Sequence, residues 1–184
     1  MSFGKANSAP RKPSRGFSLI ELLIVVAIIL IIAAIAIPNL LRAKIASNEA
    51  SATNSIRSIN TAEYAYNAAY PDYGYALNLA NLGGPAPCLP APAAACLIDN
   101  VLATATLGSS GKSGYIFNAT GLVPSGAAAT MRSFVSAASP VNYNITGVRN
   151  FCSSEDGVIR FDPGAGGSLP VNTMAACQAF TSMQ

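Results

Sequence analysis

The side chains with chemistry to offer are few, and Glu21 is the most conspicuous. It is the single acid at the head of an apolar run, residues 22–37, that reads LLIVVAIILIIAAIAI. A carboxylate at the edge of hydrocarbon costs on the order of a few kcal/mol, and an ionisable group so placed is functional by default. Directly before it stand Arg15-Gly16-Phe17-Ser18, preceded by Lys5, Arg11 and Lys12. The other reactive side chains are Cys88, Cys96, Cys152 and Cys177, all after the apolar run. There is no histidine, which removes Ser–His and Cys–His nucleophiles. Without histidine or a Cys-x-x-Cys spacing, a zinc site is not expected either. The residues therefore point to no enzyme, no cofactor and no metal, but to something built around a charged junction and an apolar helix.

The elements that position these residues follow from periodicity, and the fold class they predict is α+β. Residues 17–41 predict a helix apolar on all sides, as a membrane span must be. At ~1.5 Å per residue, Pro38 falls roughly 30 Å from Phe17, about one hydrocarbon thickness. Pro38 removes a helical hydrogen bond and crowds the carbonyl of Ala34, so the helix is expected to break or kink there. Residues 42–69 predict an amphipathic continuation. Leu41, Ile45, Ala52, Ile56, Ile59, Tyr66 and Tyr70 recur at three- and four-residue steps, with Asn48, Glu49, Arg57 and Glu63 expected on other faces. Tyr70-Pro71 ends it.

Residues 70–111, rich in Gly, Pro and Ala, predict a loop region with a short helix near 98–104. Residues 112–162 predict an antiparallel sheet of about four strands, with candidates at 114–117, 131–135, 148–152 and 158–161. Asp156-Gly157 is the hairpin signal between the last two. Residues 163–184 predict a tail tied down by Cys177.

Gly16 followed by Phe17, then Glu21, then the apolar run with Pro38 near its end, resembles the N-terminal pattern of type IV prepilins and the related pseudopilins. The resemblance is strong from Arg15 to about Ala50 and fades beyond; some members carry a second proline where this chain has Ser58. It implies a leader, residues 1–16, cut between Gly16 and Phe17 by a membrane-embedded prepilin peptidase that also methylates the new amine of Phe17. It implies the type IV pilin fold, an inner-membrane assembly platform and a homo-oligomeric helical filament. In such a filament Glu21 would pair with the Phe17 amine of a neighbour and set axial register. The expected function is a structural subunit of a type IV pilus; a pseudopilin of a type II secretion system is the alternative.

The four cysteines allow three pairings. Local pairing, Cys88–Cys96 and Cys152–Cys177, is the expectation, and the second bridge would close a C-terminal loop as in many type IV pilins. An even number of cysteines after the helix fits an exported, oxidising location.

Charge supports that topology. The chain has 11 Lys and Arg against 8 Asp and Glu, a net +3. Lys5, Arg11, Lys12 and Arg15 lie in the leader, so its removal leaves seven cations against eight acids, near −1. No electrostatic case for nucleic-acid binding survives. Basic residues beside an apolar helix stay cytoplasmic. The chain is thus expected as a single-pass prepilin of the inner membrane with its N-terminus inside, later in a surface pilus or a periplasmic pseudopilus.

Rival readings leave residues unexplained. A secretory signal ending at Ala34-x-Ala36 has a long apolar stretch for its class and an acid inside it. A binding module on a plain anchor gives Gly16 and Glu21 no purpose. Gly108 to Ser113 imitates a phosphate loop but has Thr106 where the motif needs glycine. Glu155, Asp156 and Asp162 belong to a hairpin turn in preference to a calcium loop. Tyr64, Tyr66 and Tyr70 read as packing residues.

Overall fold

The computed structural model describes residues 16–123, 130–164 and 167–183. The leader cations Lys5, Arg11, Lys12 and Arg15 lie outside the described residues. The chain divides into two compact units, 1–40 and 41–184.

Helix α1 spans Leu19–Ala69, 51 residues, and its helical hydrogen-bonding pattern continues through Pro38. The expectation of a break at Pro38 is therefore not met. α1 ends where the sequence predicts: the Tyr70 N–H still bonds the Tyr66 carbonyl, and Pro71 follows.

In the second unit three short helices follow, each opened by a side-chain cap. α2, Leu79–Leu82, starts at Asn78, whose carbonyl oxygen accepts from Asn81 N–H while the Asn81 side chain accepts from Asn78 N–H. α3, Asn100–Ala103, starts at Asp99, which accepts from Leu102 N–H at 2.8 Å. α4, Met174–Gln178, starts at Thr173.

The strands are β1 Tyr115–Leu122, β2 Ser133–Pro140, β3 Asn150–Ser154, β4 Arg160–Asp162 and β5 Thr181–Ser182. They form one antiparallel sheet in the order β1-β2-β3-β4-β5. The register opposes Tyr115 to Pro140, Ala137 to Cys152 and Phe151 to Phe161. The tail expected after residue 162 thus contributes a helix and a fifth strand, too short to leave a periodic signal. At the β3–β4 hairpin Gly157 takes φ +69° and its N–H bonds the Ser154 carbonyl at 2.9 Å, the turn that Asp156-Gly157 foretells.

The two-residue alternation of the strands builds two cores. Tyr115, Phe117, Ala119, Ala138 and Phe151 pack with Ala52, Ile56, Ile59, Ala62 and Tyr66 of α1. On the opposite face Val135, Ala137, Cys152 and Cys177 cluster with Leu122, Val171, Met174 and Phe180. β2 is covered on both faces, so residues 134–139 are all buried. The sheet is sandwiched between α1 and the C-terminal segment.

Candidate functional site

The first turn of α1 gathers three of the sequence-predicted residues. Gly16 and Phe17 precede the helix; Phe17 is 82% exposed, and nothing lies within 4 Å of a Cβ placed on Gly16. The Ser18 N–H donates to Glu21 Oε2 at 2.9 Å. Ser18-x-x-Glu21 is a capping-box spacing, and Glu21 here takes its acid half, satisfying a donor that the helix start would leave orphaned. That local role was legible in the sequence and is additional to any role in assembly. Beyond it, every large apolar side chain from Leu19 to Leu41 is exposed, a helix long and apolar enough to cross a membrane. Such a surface suits lipid, and it equally suits other apolar helices packed through small residues such as Ala27, Ala33, Ala34 and Ala36.

The second unit locks its part of α1 onto the sheet through polar side chains that residue type had assigned to the wrong face. Glu49 and Glu63 are buried, at 6% and 0% exposure, among the residues expected to pack. The reason is the spacing itself: 49, 52, 56, 59, 63, 66 and 70 form one stripe of three- and four-residue steps, and the acids are members of it. Their charge directed the reading elsewhere.

Each buried acid has its own accommodation. Glu49 accepts from the Val148 and Arg149 N–H groups, both at 3.1 Å, and from the Arg149 guanidinium at 2.8 and 2.6 Å. That guanidinium lies 5.6 Å from the ring centroids of Phe151 and Phe161. Glu63 has no cation among the described residues. Its Oε2 accepts from Ala76 N–H at 2.8 Å, while Oε1 has no partner among the described residues. Burial pushes its carboxyl up to about 8, against the opposing pull of the Ala76 hydrogen bond. Between the two acids, Asn60 donates to Ser153 Oγ at 2.8 Å and accepts from Ser136 Oγ at 2.6 Å, a buried polar link from helix to sheet.

The structure joins Cys88 to Cys96 and Cys152 to Cys177, with Cα separations of 6.0 and 5.7 Å. The first closes the Pro/Ala-rich loop, and the second fastens α4 to β3. Of the three acids considered for a cation site, Asp156 is engaged by Arg160 at 2.5 Å, and this guanidinium holds its carboxyl down at about 2. Asp162 accepts from Gly164 N–H at 3.0 Å.

Residues 11–37 match the model of the prokaryotic N-terminal methylation motif. A 53-residue stretch is 47% identical to the type IV major pilin protein PilA of Myxococcus xanthus strain DK1622. The N-terminal segment of the chain is thus similar to that of a type IV pilin. The aligned stretch is 29% of this chain and 24% of that relative, so the chain spans about a quarter of the curated protein it matches. No solved structure matches it. The long N-terminal helix and small antiparallel sheet form an α+β arrangement consistent with the pilin fold.

Proposed function

We propose that this pilin is the structural subunit of a type IV pilus and polymerises through its N-terminal apolar helix. The observation that carries the reading is the helix start: an apolar surface exposed all round, interrupted by Glu21 four residues after Phe17. In this reading the prepilin peptidase cuts between Gly16 and Phe17 and methylates the Phe17 amine. Before assembly the subunit crosses the inner membrane once, N-terminus inside; the assembly platform then draws it into a filament displayed at the cell surface.

The physical logic is that of an uncompensated charge. An unpaired carboxylate enclosed among apolar helices is strongly unfavourable, and the positive charge able to neutralise it is created by the cut itself. Uncut Phe17 has an amide nitrogen and no charge to offer. A neighbour shifted axially to bring its Phe17 amine to Glu21 satisfies both groups; other registers leave both unpaired. Repeating that non-closing contact generates an open helical filament. Pro38 lies near the outer bilayer edge as a place for the helix to bend during packing. The likeness to a major pilin favours a pilus over the pseudopilus of a type II secretion system.

The test is the intact mass of the protein in filaments sheared from the cell surface. A mass beginning at Phe17 with one added methyl, in abundant sheared material, is expected. A mass that retains residues 1–16, or one that begins after Ala36, would refute the reading. Correctly processed protein found solely in membranes would reassign it to a pseudopilus.

A further inference from the structure

The two disulfides stand in opposite surroundings. Cys152 and Cys177 are fully buried in the apolar cluster with Val135 and Ala137. Cys88 and Cys96 are half-buried, at the surface of an irregular loop, and are separated by 8 positions in sequence. A disulfide exchanges only with a thiolate that can reach one of its sulfurs, so access governs the rate. A buried bridge must wait for local opening of the fold, and an accessible one need not.

The two limbs that meet at Cys88–Cys96 are held very differently. The limb at Cys96 is fixed without the bridge. The Ala95 N–H donates to the Asn81 carbonyl at 2.7 Å, the Cys96 N–H to the Gly83 carbonyl at 3.1 Å and the Leu97 N–H to the Leu82 carbonyl at 2.7 Å. Ala95 also belongs to the core beneath, and the Tyr66 hydroxyl donates to the Pro92 carbonyl at 2.8 Å. The limb Pro85-Ala86-Pro87-Cys88-Leu89-Pro90 has no such support. Its prolines have no N–H to donate. None of its residues makes a hydrogen bond among the described residues, and none joins either core cluster. All but Cys88 are exposed, Leu89 at 82%. The bridge is what ties this limb to the folded unit.

We propose that the Cys88–Cys96 bridge is a redox-sensitive fastener. A dithiol reductant opens it selectively and frees residues 85–90 as a flap, while the sheet and the buried bridge stay intact. The chemistry is thiol–disulfide exchange. A thiolate of the reductant attacks one sulfur of the bridge, forming a mixed disulfide and expelling the other cysteine as a thiolate, which takes up a proton. The second thiol of the reductant, on losing its proton, displaces the remaining protein sulfur, which is protonated in turn. Two electrons pass to the protein: Cys88 and Cys96 end as thiols and the reductant as a disulfide. The change stays local because the hydrogen bonds of Ala95, Cys96 and Leu97 do not run through the bridge. They also keep Cys96 in place for reclosure over a short loop, which carries little entropic cost. The inference concerns the globular unit alone and is independent of the proposed pilus.

The experiment uses the full chain in a non-ionic detergent. Dithiothreitol is added in steps, free thiols are trapped with iodoacetamide, and the modified cysteines are assigned by peptide mass. Cys88 and Cys96 should be modified at least about tenfold faster than Cys152 and Cys177, since the buried pair must first open. In the half-reduced protein the near-ultraviolet circular dichroism should persist. Amide order parameters from NMR relaxation at Ala86, Cys88 and Leu89 should fall below about 0.6, while those of Ala95 and Leu97 stay near about 0.85. The double variant Cys88→Ser, Cys96→Ser should show the same mobile flap with no reductant present. Equal reduction of the two bridges, or earlier reduction of Cys152–Cys177, would overturn the proposal. So would loss of the dichroism when the first bridge opens, or unchanged order parameters at Ala86, Cys88 and Leu89.

Discussion

Glu63→Gln should remove a pH dependence that the folded protein otherwise carries. Glu63 is fully buried, with one oxygen on Ala76 N–H, the other unpartnered among the described residues, and its carboxyl raised to about 8. In the unfolded chain the same group titrates near ~4.3. Between these values the folded protein holds a proton that the unfolded chain has released, so stability falls as pH rises. The contribution is fully present below about pH 4.3, declines by about 1.4 kcal/mol per pH unit, and is lost as pH passes through the folded value of about 8. The whole decline amounts to about 5 kcal/mol, comparable to the entire stability of a modest domain. Tyr66 and Tyr75, which interact electrostatically with Glu63, are pushed up by burial and stay neutral throughout.

Glutamine keeps an acceptor for Ala76 N–H and cannot ionise, but it buries an amide whose protons lack partners, at a cost of about 1–3 kcal/mol. The variant should therefore be the less stable protein near pH 5 and the more stable one near pH 9. The assay is urea denaturation of both full chains in non-ionic detergent, followed by tyrosine fluorescence from pH 5 to pH 9. The difference between the chains cancels every titration they share. A constant difference across that range would refute the assignment of a proton to buried Glu63.

Four further outcomes follow from other contacts. Glu21→Ala should leave processed subunit in the membrane and abolish sheared filaments; filaments at wild-type yield would remove Glu21 from assembly. Arg149→Ala strands buried Glu49 without its cation and uncovers Phe151 and Phe161, so chemical denaturation should register a loss of about 3 kcal/mol. Replacing Cys152 and Cys177 by serine opens a loop of separation 25 and should cost about 3.5 kcal/mol, against about 2.5 for the Cys88–Cys96 pair of separation 8, by chain entropy. Asp156→Asn should weaken acid sensitivity: the Arg160 pair contributes stability above the usual carboxylate range that is lost as pH falls towards about 2, so the variant's thermal midpoint should drop less between pH 4 and pH 2.

What the sequence disclosed, and what it concealed, divides along physical lines. Long-period signals were legible: the apolar run, the end of α1 at Tyr70-Pro71, and the β3–β4 hairpin around Asp156-Gly157, because each depends on residues adjacent in sequence. The Ser18-x-x-Glu21 box was equally legible but overshadowed by the charge argument. Three short elements, α2, α4 and β5, were not: two residues of strand carry no alternation, and β5 depends on Phe161 pairing with Thr181 across the sheet. The cavity lined in part by Tyr66, Tyr73, Pro92 and Met131 was equally invisible, since these residues meet only in three dimensions. Glu49 and Glu63 are the instructive errors. Periodicity placed them in the buried stripe and residue type argued them out of it, and periodicity was right. Residue type fails there because Arg149 and a retained proton, both distant from any local pattern, make burial tolerable.

Helix α1 carries three acids, Glu21, Glu49 and Glu63, and their fates clarify one another. Glu49 is neutralised by a guanidinium contributed 100 residues later in the chain. Glu63 is neutralised by a proton. Among the described residues Glu21 has the Ser18 N–H alone, which offsets a dipole and not a charge. In the isolated subunit that is tolerable, since Glu21 stands at the end of the apolar run within reach of water. In the proposed filament, where apolar helices would enclose it, the two solutions used elsewhere on the same helix would remain: a proton or a cation. A proton would switch off axial selectivity, because a neutral acid has no preference for one register of its neighbour. A cation supplied by the cut N-terminus of another subunit would confer it. Glu21→Gln separates the two: a protonated Glu21 would be mimicked by glutamine and filaments would persist, whereas a charged pair leaves the neighbour's amine stranded and sheared filaments should disappear.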